Sequence, residues 1–171
     1  MTRGQPSLKK KKKSPSWRVR ISPIHGRGLF AIRTIRKGAK IIEYRGARIS
    51  ESDADDQPSR DPANPHHTFL FQLRDGTIID AGTRGNSARW INHSCQPNCE
   101  SLEYDDGTLF IHARRTIRAG EELCYDYRIG ALGKATGLNR KDYACACKSP
   151  RCRGTLLLTP KRRGRKRSRT K

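Results

Sequence analysis

Two Asp-Gly pairs, Asp75-Gly76 and Asp106-Gly107, each sit between short runs of alternating apolar and polar residues. Thr68 to Arg74 and Thr77 to Ala81 flank the first pair; Asn98 to Tyr104 and Thr108 to Arg114 flank the second. Asp-Gly supplies the positive φ that a tight type I′ turn demands, so this pattern predicts two antiparallel hairpins. Trp17 to Ser22, Ala39 to Ile49 and Glu121 to Tyr127 read as further strands, while Asn86 to His93 suits one or two helical turns. Residues 50–67 are polar and punctuated by three prolines, which predicts a loop insert. No long helical periodicity and no internal repeat is found, so the fold class is mainly β, built of many short strands.

Charge divides the chain more sharply than hydropathy does. Of 171 residues, 37 are Lys or Arg and 16 are Asp or Glu, a formal charge of +21. Residues 1–20 and 159–171 carry eight basic groups each and no acid, leaving 21 basic against 16 acidic groups between them. A near-ordinary domain is therefore expected between two basic disordered tails, 1–16 and 159–171. The longest apolar run, Tyr143 to Cys147, is five residues, against the roughly 20 a membrane span requires, so no membrane partner is expected. Ser14-Pro15-Ser16-Trp17-Arg18 follows the lysine run where a secretory signal would carry an apolar stretch. An intracellular location is expected, where six cysteines suit thiols or metal ligands better than disulfides.

Four constellations could carry chemistry. Cys145, Cys147 and Cys152 form C-x-C-x4-C, three thiols within eight residues, which suits tetrahedral Zn²⁺. Spacing leaves the fourth ligand open among Cys95, Cys99 and Cys124, with His66, His67, His93 and His112 behind them. Arg89 to Asn98 packs Asn, His, Ser and Cys between two hairpins and reads equally as a polar site or a capped turn. His25-Gly26-Arg27-Gly28 could let backbone approach a ligand, but it is not a dinucleotide fingerprint, for it has no third glycine and no βαβ unit. Tyr125 and Tyr127 share one face if their segment is a strand, and their hydroxyls then need partners.

In this order, His25-Gly26-Arg27-Gly28, Glu43-Tyr44-Arg45-Gly46, Ile79-Asp80-Ala81, Gly85-Asn86-Ser87-Ala88-Arg89-Trp90-Ile91-Asn92-His93-Ser94-Cys95-Gln96-Pro97-Asn98, Gly120-Glu121-Glu122-Leu123-Cys124-Tyr125-Asp126-Tyr127 and the C-x-C-x4-C run closely resemble the SET-domain protein lysine methyltransferases with a zinc-binding post-SET segment. The resemblance runs from about Ser22 to Leu157. It implies a mainly β SET fold of several small sheets with a pseudoknot, and a C-terminal zinc-binding lid. The implied organisation is a SET domain at 17–128, with a short variable insert at 50–67, and a post-SET segment at 129–158.

The same resemblance implies the site. S-adenosylmethionine and the substrate lysine would meet through a narrow channel. His25, Gly26, Arg27, Gly28, Phe69, Asn92 and His93 fall at cofactor-binding positions, and Tyr44, Tyr125 and Tyr127 at catalytic positions walling the lysine channel. Cys95 matches the family's fourth ligand to a structural Zn²⁺, with Cys145, Cys147 and Cys152, and Cys99 and Cys124 become packing residues. The implied reaction is in-line attack of a neutral lysine amine on a sulfonium methyl. A tyrosine at 125 implies mainly monomethylation.

Trp90 stands where Phe is usual, Phe69 where some relatives have Tyr, and no cysteine-rich segment precedes the domain, as in small free-standing SET proteins of bacteria and eukaryotes. The implied substrates are histones or bacterial basic nucleoid proteins. Non-specific DNA contact through the tails is expected, in the bacterial nucleoid or a nucleus. The rival reading is a catalytically silent SET module that binds nucleic acid through those tails. Glu51, Asp53, Asp55, Asp56 and Asp61 of the insert either offset repulsion from a basic substrate or form a solvated acidic loop.

Overall fold

The computed structural model describes residues 14–58, 68–130 and 138–158. The basic runs Lys9 to Lys13 and Lys161 to Lys171, and His66, His67 and Asp61 of the insert, lie outside the described residues. Among the described residues, ten short strands form four small sheets, as a chain with frequent turn signals and no long periodic run should. β1 (Trp17–Ile21) pairs antiparallel with β2 (Arg27–Ala31). β3 (Lys40–Glu43), β8 (Cys99–Glu103) and β9 (Leu109–Ala113) make a sheet in the order β3-β9-β8. β4 (Ala47–Ile49), β5 (Leu70–Gln72) and β6 (Ile78–Asp80) make another in the order β4-β6-β5. β7 (Asn92–His93) lies parallel to β10 (Cys124–Tyr125). Leu29, Ile91, Leu109, Ile111, Ile117 and Leu123 fill the core where these sheets converge.

Both Asp-Gly hairpins form, β5–β6 and β8–β9, but not through type I′ turns. Gly76 and Gly107 have φ of 87° and 73°, while neither Asp75 nor Asp106 has positive φ. Leu73 N donates to Thr77 O and Gly76 N to Leu73 O, and the pattern recurs at Tyr104, Thr108 and Gly107. These are three-residue loops, a type I turn closed by glycine in the left-handed region. Each Asp carboxylate instead accepts a hydrogen bond from the backbone N–H two residues on, at Thr77 (2.8 Å) and Thr108 (2.9 Å).

Three predicted elements are redrawn. Ala39 to Ile49 is not one strand: the chain changes sheets between β3 and β4, where Gly46 lies so close to the Asp80 and Ala81 backbone that a Cβ would overlap it. The insert opens with one helical turn, α1 (Glu51–Asp55), rather than loop, because Ser50 and Asp53 form a reciprocal capping box. Glu121 to Tyr127 contains only the two-residue β10, so Tyr125 and Tyr127 are not alternate residues of one strand. Asn86 to His93 becomes a single 3-10 turn, Ser87–Trp90, capped by the Asn86 side chain, then β7.

The chain also holds an internal duplication that a search for regular periods overlooks. Ala31-Ile32-Arg33-Thr34-Ile35-Arg36-Lys37-Gly38 and Ala113-Arg114-Arg115-Thr116-Ile117-Arg118-Ala119-Gly120 share the pattern A-x-R-T-I-R-x-G. The two copies clasp each other through reciprocal bonds. Ile35 N donates to Ile117 O and Ile117 N to Ile35 O, both at 2.8 Å. Gly38 N reaches Ala113 O at 2.7 Å, and Gly120 N reaches Ala31 O at 2.8 Å. A local two-fold thus ties the β1–β2 unit to the end of β9.

Candidate active site and metal centre

β7 and β10 position the polar residues. Asn92–Asn98 passes against 122–127, held by Ser94 N to Tyr125 O (3.1 Å), Asn98 Nδ2 to Glu122 O (2.8 Å) and Cys124 N to Asn98 Oδ1 (2.9 Å). This crossing brings Tyr125 and Tyr127 beside His93 and Asn92 although more than 30 residues separate them.

Aromatic rings run continuously through the centre: Tyr44 to Phe71 at 5.5 Å between centroids, Phe71 to Tyr125 at 6.2 Å, Tyr125 to Tyr127 at 4.9 Å and Tyr127 to His93 at 5.4 Å. The Tyr44 hydroxyl donates to Phe69 O (2.9 Å) and the Tyr127 hydroxyl to Ile91 O (2.8 Å). The Tyr125 hydroxyl has no protein partner among the described residues. Burial pushes all three phenols well above their ordinary value, so they are neutral hydroxyls across the physiological range.

Beside this ring wall lies the glycine loop. Asn92 Nδ2 donates toward His25 O (3.2 Å), Arg27 O (3.0 Å) and Glu122 Oε1 (2.7 Å). Glu122 also accepts from Ser22 Oγ at 2.8 and 2.9 Å and packs where a Cβ on Gly28 would stand. The Arg27 guanidinium lies 5.3 Å from the Trp90 ring centroid, Arg89 lies at 4.7 Å, and Phe69 meets Trp90 edge-on at 5.2 Å. Carbonyl oxygens, an amide and a guanidinium around a loop whose Gly26 has open space are a donor set suited to an amino-acid zwitterion.

His93 joins two parts of the site. Desolvation lowers it to about 4, so the imidazole is neutral, and its 3.6 Å separation from Asp126 is not an ion pair. Nδ1 accepts the Tyr127 N–H (3.1 Å), which leaves Nε2 as donor toward Cys95 Sγ at 3.3 Å.

Cys95, Cys145, Cys147 and Cys152 converge, with all four sulfurs within 4.8 Å of one another. Cys95 Sγ lies 3.8 Å from Cys145 Sγ and 4.0 Å from Cys152 Sγ. A tetrahedron with Zn–S of about 2.3 Å has edges of about 3.8 Å, so the set fits Zn²⁺. The amides of Arg153 and Gly154 point at Cys95 and Cys152 sulfurs, at 3.3 and 3.4 Å. Desolvation opposes ionisation of Cys147, but hydrogen bonds from the Cys95 amide and Ser149 hold it down to about 6. Cys99 and Cys124 are buried in the core, apart from the cluster, and burial pushes the Cys99 thiol up to about 12. His112 faces Tyr104 and the Gly38 carbonyl instead.

A family model for the SET domain matches residues 26–128. The chain belongs to the SET-domain family. It is 40% identical over 139 residues to histone-lysine N-methyltransferase set1 of Dictyostelium discoideum, covering 79% of this chain and 9% of that protein. It is 38% identical over 138 residues to human histone-lysine N-methyltransferase 2B, covering 79% and 5%. Against the H3 lysine-4 specific enzyme of Saccharomyces cerevisiae, identity is 37% over 150 residues, covering 85% and 13%. The chain therefore spans about an eighth or less of the length of these relatives. No helix among its described residues is long and apolar enough to cross a membrane.

Every sequence-predicted site residue lies in or against one of three groups, the glycine loop, the ring wall and the cysteine cluster, the last reaching beyond the SET match to Cys145, Cys147 and Cys152. Phe69 is the most peripheral, bracing Trp90 and accepting from Tyr44 through its backbone. Phe71, Glu122, Asp126 and Arg153 were not predicted. Phe71 was legible as the second ring of the run Phe69-Leu70-Phe71. Glu122 and Asp126 lie inside recognised motifs, yet nothing local says whom they bond. Arg153 grips Asp126 with two bonds of 2.7 Å, fastening 138–158 to the domain.

Proposed function

We propose that this chain is an S-adenosylmethionine-dependent protein-lysine N-methyltransferase acting on histones or other basic DNA-associated proteins, and that it transfers mainly one methyl group. The observation that carries the reading is the neutral, buried to half-buried ring wall Tyr44–Phe71–Tyr125–Tyr127 beside Asn92 and the glycine loop. Names of relatives support the substrate class, including two called H3 lysine-4 specific.

When bound, S-adenosylmethionine supplies an activated methyl group. His25, Gly26, Arg27, Gly28, Phe69, Asn92 and His93 would hold it: carbonyls and the Asn92 amide for its ammonium, the Arg27 guanidinium for its carboxylate. The ring wall desolvates the incoming lysine, whose ordinary pKa of about 10.4 leaves little free amine at neutral pH; desolvation lowers it. Tyr127 donates to Ile91 O, so its lone pairs remain to accept from the amine and aim its nitrogen. Tyr44 is held the same way by Phe69 O. The unpartnered Tyr125 hydroxyl is available to a water that would crowd a second methyl.

Cys95, Cys145, Cys147 and Cys152 would hold a closed, structural Zn²⁺ that keeps residues 129–158 as a lid over the SET domain at 17–128. The tails would keep the enzyme on DNA, in a nucleus or nucleoid. Of the insert acids among the described residues, Asp53 is already engaged in its capping box, which leaves Glu51 and Asp55 of α1 and its C-cap Asp56 to face a basic substrate. Incubation of the full chain with labelled cofactor and core histones tests this reading. Label is expected on histone lysine and absent with Tyr127→Phe; equal labelling by that variant would overturn the catalytic assignment.

A further inference from the structure

The two clasped A-x-R-T-I-R-x-G loops do more than join sheets. Because Ile35 and Ile117 pair and point into the core, their flanking residues turn outward together. Arg36 and Arg118 occupy the first position of equivalent turns, each accepting from the residue three on, Ala39 (3.1 Å) and Glu121 (3.2 Å). Lys37 and Arg114 lie beside them, and all four are exposed. None of the four has a carboxylate partner among the described residues.

The acids of these loops are withdrawn from the face. Glu121 is bound by Arg115 and by the Arg118 N–H. Glu122 is turned inward to Ser22 and Asn92. Arg33, on the same loop as Arg36, holds Ser14 O at 2.7 Å and Ser16 Oγ at 2.9 Å. Ser14 directly follows the Lys9 to Lys13 run in the sequence.

We infer that this face is a docking site for the phosphate backbone of duplex DNA, with Arg36, Lys37, Arg114 and Arg118 as its contacts. Four exposed cations without an ion-pair partner on one pair of clasped loops, two of them (Arg36 and Arg118) at equivalent positions of the local two-fold, match a regular polyanion better than a patterned protein surface. The loops present turns rather than a helix or ribbon, so they would read phosphates and not base edges. This inference does not depend on methyl transfer.

The test measures binding of the full chain to a duplex of about 20 bp across a salt series, where each phosphate contact contributes a slope of about −0.9 in log K against log salt. Combined R36Q, K37Q, R114Q and R118Q substitutions should weaken binding roughly tenfold or more at low salt and flatten the slope by about 2–4. An unchanged slope and affinity would place all DNA contact in the tails and overturn the inference. Footprinting of the unaltered protein gives an independent reading. Lys37 and Arg118 should be shielded from side-chain reagents by duplex while Arg84 is not; equal reactivity with and without DNA, or shielding only by anionic vesicles or RNA, overturns it.

Discussion

Tyr127, Tyr125 and His93 carry the argument at the scale of single residues. Tyr127→Phe removes the oxygen that would aim the amine and is expected to cost roughly 100-fold or more in methyl transfer, with histone binding retained. Tyr125→Phe removes the one ring-wall hydroxyl that lacks a protein partner and should shift product from monomethyl toward di- and trimethyl lysine, read by mass spectrometry; an unchanged product ratio counts against the water it is said to hold. The buried phenols also fix a pH response. Their folded pKa values lie above the unfolded value of about 10, so below that value the native state keeps its full stability. As pH climbs past 10 the unfolded chain ionises first and stability falls. Tyrosinate absorbance for these three rings should therefore rise together with loss of near-ultraviolet circular dichroism, not before it. The residues that the structure gathers were legible where a motif carries them, as at Asn92, Tyr127 and Cys95. They were illegible where the role is a long-range bond: Glu122 reaching Ser22 and Asp126 reaching Arg153 leave no local trace.

Elements were read well where local chemistry decides them and poorly where neighbours do. Asp75-Gly76 and Asp106-Gly107 gave both hairpins, but the turn type follows from a further loop residue, Arg74 or Asp105, that precedes the dipeptide and was not visible in it. The break between β3 and β4 depends on Gly46 meeting the distant Asp80 backbone, so no window around Gly46 could have predicted it. The clasped loops escaped because two copies do not make a period. The crossing of β7 beneath β10 depends on Asn98, which is 5% exposed and bonds the Glu122 carbonyl and the Cys124 amide. Asn98→Ala leaves both groups unpaired in the interior and should destabilise the chain by about 2–5 kcal/mol in denaturant unfolding. Residues 138–158 have a separate weak point. A strong zinc chelator, or Arg153→Ala, should make residues 138–158 susceptible to proteolysis while the four small sheets persist; resistance after verified metal removal would contradict a structural zinc.

Across the whole molecule, a charge of +21 first suggests a nucleic-acid binder, whereas the packed middle belongs to the SET-domain family, in which the similar proteins reported above are named histone-lysine N-methyltransferases. The two facts concern different parts of the chain. Basic runs at 1–20 and 159–171, with the clasped-loop face, bear on where the protein works; the ring wall and glycine loop bear on what it does there. High salt should therefore weaken activity on DNA-wrapped histones far more than activity on a short histone peptide, because only the former uses phosphate contacts. The central claim is tested most directly by mass spectrometry of an H3 tail peptide after incubation with the full chain and S-adenosylmethionine, run in parallel with Tyr127→Phe. The account predicts one added methyl on lysine with the native sequence and none with the variant. An unmodified peptide and unmodified core histones, from a protein that binds the cofactor and holds its zinc, would contradict it.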